Sequence, residues 1–162
     1  MKNIISIMLV AAFGVMLVFT GCKEEEYTPE PLAEVTVEGQ VITELDLTNA
    51  VSEFVPAGTK IIFRINAADL VAVPEAGYNY QTIQHETTVG SDGTFSIKLP
   101  AVNFNAVAVE VELVDFVAEQ TIAVDNKKDM IFSSTGLYDF NVTEGEDYYY
   151  VYTYDDTQIY EY

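Results

Sequence analysis

The chain has one cysteine (Cys22), one histidine (His85) and no tryptophan. With one cysteine no disulfide can form within the chain. With one imidazole, neither a histidine-based metal cluster nor a Ser-His-Asp triad can use more than His85. His85 lies in strand-like sequence, Gln81-Thr82-Ile83-Gln84-His85-Glu86-Thr87, and reads as a plain strand histidine. No G-x-S-x-G elbow, glycine-rich phosphate loop or zinc motif occurs. No enzyme activity, cofactor or metal is therefore expected. Positive charge is also scarce, with 7 Lys and Arg against 26 Asp and Glu, for a net charge of −19. Such a field repels a phosphate backbone, which argues against nucleic acid as a partner, and it repels an anionic leaflet too.

Acidic clusters invite a test for calcium, which takes carboxylate and carbonyl oxygens from loops. The best are Glu144-Gly145-Glu146-Asp147 and Asp155-Asp156, with residues 125–129 a third. None has the alternating spacing of a calcium loop, and Lys127 and Lys128 interrupt the third. They read as solvated acidic surface.

One long apolar run is present, residues 4–19, following Lys2. It sits near the lower limit for a spanning helix, about 17–25 residues, and Ser6 and Gly14 interrupt it. Three glutamates follow it, Glu24, Glu25 and Glu26, in place of a positive stop-transfer flank. A basic start, an apolar middle and the small pair Thr20-Gly21 are the parts of a cleaved export signal. The box Phe19-Thr20-Gly21-Cys22 resembles a bacterial lipoprotein signal. The resemblance implies a lipid on the Cys22 thiol and cleavage before it. Lys23 with Glu24, Glu25 and Glu26 is similar to the surface-export signal of Bacteroidota lipoproteins. These resemblances imply an outer-membrane, lipid-anchored protein facing the cell exterior. Cleavage would remove Lys2 and no acid, making the net charge more negative by one.

The expected organisation is a signal peptide over 1–21, a lipidated cysteine with an acidic, proline-bearing tether over 22–34, and a β-domain over 35–162. The tether, with Pro29 and Pro31, shows no helical or strand period and reaches at most about 40 Å.

Beyond it the period is two. Val35, Val37 and Val41 alternate with Thr36, Glu38 and Gln40. Ile61, Phe63 and Ile65 form a second set, Phe95, Ile97 and Leu99 a third, and Val107, Val109, Val111 and Leu113 a fourth. This is the pattern of half-buried antiparallel strands. Turn chemistry separates them at Pro56-Ala57-Gly58, Pro74-Glu75-Ala76-Gly77, Asp125-Asn126 and Glu144-Gly145. Gly90-Ser91-Asp92-Gly93 predicts a hairpin joining its two flanking strands. Residues 67–73 predict at most a turn or short helix. The expected fold is all-β, a single antiparallel sandwich of about seven or eight strands.

Three pieces follow in order: Gly39-Gln40-Val41, then Pro56-Ala57-Gly58 before a strand, then Asp92-Gly93-Thr94-Phe95-Ser96-Ile97-Lys98-Leu99-Pro100. Over roughly residues 35 to 115 the chain resembles the carboxypeptidase-regulatory-like, or transthyretin-like, β-sandwich domains. That resemblance implies a fold and no catalytic site of its own.

Tyr148, Tyr150, Tyr152 and Tyr154 recur at period two, opposite Tyr149, Val151 and Thr153. A strand would lay these four phenols in one row, able to stack on sugar rings or grip a protein. The alternative is a last strand whose tyrosines cover the sandwich edge. The expected function is a non-enzymatic surface binding or scaffolding module for a glycan or protein. The alternative is a structural subunit of a surface or pilus-like assembly that uses strand-edge addition.

Overall fold

The computed structural model describes residues 31–161. The chain divides after Pro31, and residues from Leu32 onward form one compact unit. Its elements are strands, apart from one short 3-10 helix, Ala67–Leu70. In chain order the strands are β1 (Ala33–Thr43), β2 (Glu53–Phe54), β3 (Lys60–Asn66), β4 (Thr82–Thr88), β5 (Thr94–Ala101) and β6 (Val107–Leu113). Then come β7 (Phe116–Ala123), β8 (Asn126–Ser133), β9 (Tyr138–Val142), β10 (Tyr148–Thr153) and β11 (Asp156–Ile159).

The first sheet is built on β1. One side of β1 pairs antiparallel with β5 and then with β2; the other pairs parallel with β10. The second sheet has the order β4-β3-β6-β9, antiparallel throughout. Inward side chains of the two sheets share one core. Phe63 of β3 meets Phe95 of β5 at 6.0 Å between ring centroids, and Phe140 of β9 meets Tyr150 of β10 at 4.5 Å. The alternating sets named from the sequence fill this core. All are buried except Ile97, which is partly buried. Removing a side chain of this size from water contributes about 1.5–3 kcal/mol, so the alternation itself selects the inward face.

A third, smaller sheet, β11-β8-β7, lies beside them. Phe116 stacks on Phe132 at 4.9 Å and meets Tyr154 edge-on at 4.8 Å. The Thr121 N–H donates to the Leu45 carbonyl (2.8 Å), and the Leu47 N–H donates to the Thr121 carbonyl (2.9 Å). Buried Gln120 adds a bond from Nε2 to the Glu44 carbonyl (2.6 Å).

Three sequence expectations change. The described residues hold eleven strands rather than seven or eight, because β2 has two residues and the third sheet has little alternation of its own. The sandwich is not purely antiparallel, since β10 runs parallel to β1. The 90–93 turn forms, with Gly93 at φ 76° and the Gly90 N–H donating to the Thr94 carbonyl (2.7 Å). Yet it joins no hairpin: β4 pairs with β3, while β5 pairs with β1 over eight residues in the opposite sheet. A tight turn can close a hairpin or arch between layers, and the longer pairing with β1 decides. The short helix at Ala67–Leu70 falls within the expected segment. Its Asn66 side chain caps it by accepting from the Ala68 N–H (3.0 Å).

Candidate functional site

Cys22, Lys23, Glu24, Glu25 and Glu26 lie outside the described residues. The tyrosine row lies within them, on the inward side of β10. Tyr152 and Tyr154 are 3% and 2% exposed, and Tyr148 and Tyr150 are half-buried. The rings form a ladder, with Tyr148 to Tyr150 at 6.5 Å and Tyr150 to Tyr152 at 6.1 Å, each pair within about 11° of parallel. Tyr152 continues onto Phe95 (5.6 Å) and touches Tyr138 (4.9 Å). Past β10 the Tyr154 hydroxyl donates to the Val114 carbonyl (2.7 Å). The Tyr148 hydroxyl accepts from the Thr143 N–H (2.8 Å).

A surface platform of four phenols is therefore corrected. These tyrosines close the side of the sandwich between β9 and β10, and two of them are interior. Burial raises the pKa of Tyr150 above its ordinary value. It raises those of Tyr152 and Tyr154 further, helped by neighbouring phenols and, for Tyr154, by Asp115.

What β10 offers to solvent is its other side. Tyr149 is 60% exposed and Val151 52%. In register they stand beside Glu38 and Gln40 of β1. Two shallow depressions flank Tyr149 on the outer face of the first sheet. One, of about 420 Å³, is lined by Thr36, Glu38, Asp147 and Tyr148; the other, of about 380 Å³, by Glu38, Thr88, Thr94 and Ser96. An exposed ring among hydroxyls and carboxylates can stack on an apolar sugar face while bonding its hydroxyls. It can equally seat a peptide side chain. Sequence reasoning placed Tyr149 on the far face. Both faces of Tyr-Tyr-Tyr-Val-Tyr-Thr are apolar enough to be the inner one, so alternation carried no signal for the choice.

A larger groove of about 670 Å³ crosses the outer face of the second sheet under exposed Leu137. Its floor carries Arg64, Glu110, Glu112, Asp139 and Asn141. Glu110 stands in register between Arg64 and Asp139, and Arg64 pairs with Glu112. Among the described residues no group of three or more His, Cys, Asp and Glu could hold a metal ion. The 144–147 cluster forms the turn between β9 and β10. Asp155 accepts from the Thr135 N–H (2.9 Å) and hydroxyl (2.8 Å), which lowers its pKa. His85 pairs with Phe63 in β4, half-buried, with its Nε2 buried and unpartnered in the described structure.

No protein-family model matches the chain, and no curated protein is similar to it in sequence.

Proposed function

We propose that this chain is a non-enzymatic lipoprotein of the outer membrane, held through Cys22 and facing the cell exterior. Its β-domain binds a glycan or protein ligand there through the outward side of β10. The observation that carries the binding reading is the exposure of Tyr149 and Val151 on an edge strand, with a depression on each flank of Tyr149. The anchor rests on the signal-like sequence ending at Cys22, and the outward address on Lys23, Glu24, Glu25 and Glu26. We further assign the domain to the transthyretin-like sandwiches. What supports this is the D-G-x-F-x-I-x-L-P segment, with Gly93 in the turn, Phe95 and Leu99 in the core and Ile97 partly buried.

Two experiments test this reading. Cys22→Ser releases the protein from the membrane fraction; retention of the variant there overturns the anchor. Tyr149→Ala weakens retention in polysaccharide gels or capture on a glycan panel without lowering stability. Unchanged mobility of the wild type across a broad panel removes glycan as the ligand.

The open edge of β10 favours a second reading, a subunit of a surface assembly joined by strand addition. That reading predicts concentration-dependent oligomers of the purified chain, and a monomer at high concentration overturns it.

A further inference from the structure

The strand edges of the two main sheets are unequal in how far they resist pairing with another strand. β5 carries Pro100, and its Ser96 carbonyl accepts from the Thr87 hydroxyl (3.0 Å). β4 carries Glu86, held by Lys60 and Gln84. β9 has only five residues, Asp139 among them. Short length, proline, charge and side-chain cover are the devices that keep edges from templating new strands.

β10 has no proline or charged residue in Tyr-Tyr-Tyr-Val-Tyr-Thr, has side-chain cover only at Thr153, and keeps unbroken register with β1 from Val37↔Tyr148 to Ile42↔Thr153. The Tyr154 N–H donates to the Ile42 carbonyl (3.1 Å). By the alternation of ladder bonds, Tyr150 and Tyr152 also turn their N–H groups to β1, and Tyr149 and Val151 turn theirs outward. The Tyr138 hydroxyl takes the Thr153 carbonyl (2.9 Å), so the open run ends there.

Charge says what can fill it. Residues 144–161 contain six acids and no base. Asp147 precedes the open edge and Asp155 follows it, about 26 Å apart along an extended chain. A second copy of β10 laid along this edge brings acid against acid at both ends, in either direction. We infer that the edge of β10 accepts an extended peptide from another protein, with an uncharged, β-prone centre and Lys or Arg at each end. It adds as a new edge strand of the first sheet. This names the protein ligand of the binding strand proposed above and rests on that reading.

The test uses the purified full chain in neutral detergent. The probe is a synthetic peptide with lysine at each end and alternating valine and threonine between, matched to the edge in length. Binding is expected to slow amide exchange at Tyr149 and Val151 and to weaken as salt rises. Val151→Pro, which removes an outward N–H, and Val151→Lys, which charges the edge, should each weaken it at least tenfold. The same peptide with glutamate ends should not bind. No binding of the lysine peptide overturns the inference, as does binding that leaves those amides unprotected or survives both substitutions. Protection of the same amides by self-association, with no peptide present, overturns it in favour of a second copy. If the peptide fails while Tyr149→Ala still abolishes glycan retention, the inference falls and the broader reading stands.

Discussion

Tyr152 lies flat against Phe95, with ring centroids 5.6 Å apart and planes 16° from parallel. The two rings come from strands on opposite sides of β1, and Gly39 stands between them in register with both Tyr150 and Phe95. A Cβ at Gly39 would collide with the Tyr150 carbonyl oxygen and come within 2.7 Å of the Phe95 ring. Glycine here is a packing requirement, because the Phe95 ring and the Tyr150 carbonyl occupy the space a side chain would need.

Gly39→Ala is therefore expected to destabilise the fold by about 1–3 kcal/mol, the range for overpacking a filled core. The obstruction includes backbone, which cannot rotate away. A denaturant midpoint equal to wild type would refute this account of the site.

Tyr152 and Tyr154 are equally buried and differ in one respect. The Tyr154 hydroxyl bonds the Val114 carbonyl, while that of Tyr152 is buried without a partner in the described structure. Tyr154→Phe should cost about 0.5–1.5 kcal/mol, because it removes a made hydrogen bond. Tyr152→Phe should be neutral or stabilising, since it deletes a hydroxyl that already bears its desolvation cost. Paired melting curves decide; equal losses from both would contradict the assignment.

Alkaline pH should unfold the domain through the same ladder. Folding raises the pKa values of Tyr150, Tyr152 and Tyr154 above 10.0, the ordinary value, chiefly by burial. Their contribution is complete below that pH. It falls as pH rises further, because the unfolded chain then releases protons that the folded chain keeps. Phenolate absorbance should rise in two stages, exposed tyrosines first and the buried ones with loss of near-ultraviolet circular dichroism. A single stage with the fold intact would argue against the buried ladder.

The acid side is weaker. Asp46, Asp92 and Asp155 have pKa values lowered by hydrogen bonds from Thr48, Thr94 and Thr135. Their stabilisation is present above 3.8, the ordinary value, and is lost as pH falls below it. Asp92 and Asp155 are exposed and Asp46 is half-buried, so the acid loss should be gradual. Thermal melts in steps below about pH 4 would check this, and a sharp acid transition would count against it.

Gln120 joins the third sheet to the rest by its bond to the Glu44 carbonyl. Gln120→Ala should leave that carbonyl unpartnered and cost about 1–3 kcal/mol. Amide exchange at Leu47 and Thr121, which bond across the same junction, should quicken before exchange in β3 or β6. Uniform acceleration across all strands would mean that the third sheet is not separately held.

Much of the fold was legible because alternation is local. Val35 and Val37, Ile61 to Ile65 and Val107 to Leu113 each declare an inner face, and burial follows it. Partner choice is another matter. The 90–93 turn reads as a hairpin in isolation, and only the eight-residue register between β1 and β5 carries β5 into the other sheet. The third sheet was harder still, since Lys127, Lys128 and Asp129 obscure any alternation in β8.

By itself, the sequence determined an all-β chain with glycine-bearing turns and a strong excess of acidic residues. Those properties follow from composition and short-range periodicity, which act before any distant contact forms. Only the tertiary structure decided which way the tyrosines face. A strand with aromatic residues on both sides has no preferred inner face until a partner offers a cavity. Phe95 and Tyr138 line it on one side only, where Tyr152 packs against both, and Tyr149 is left in water.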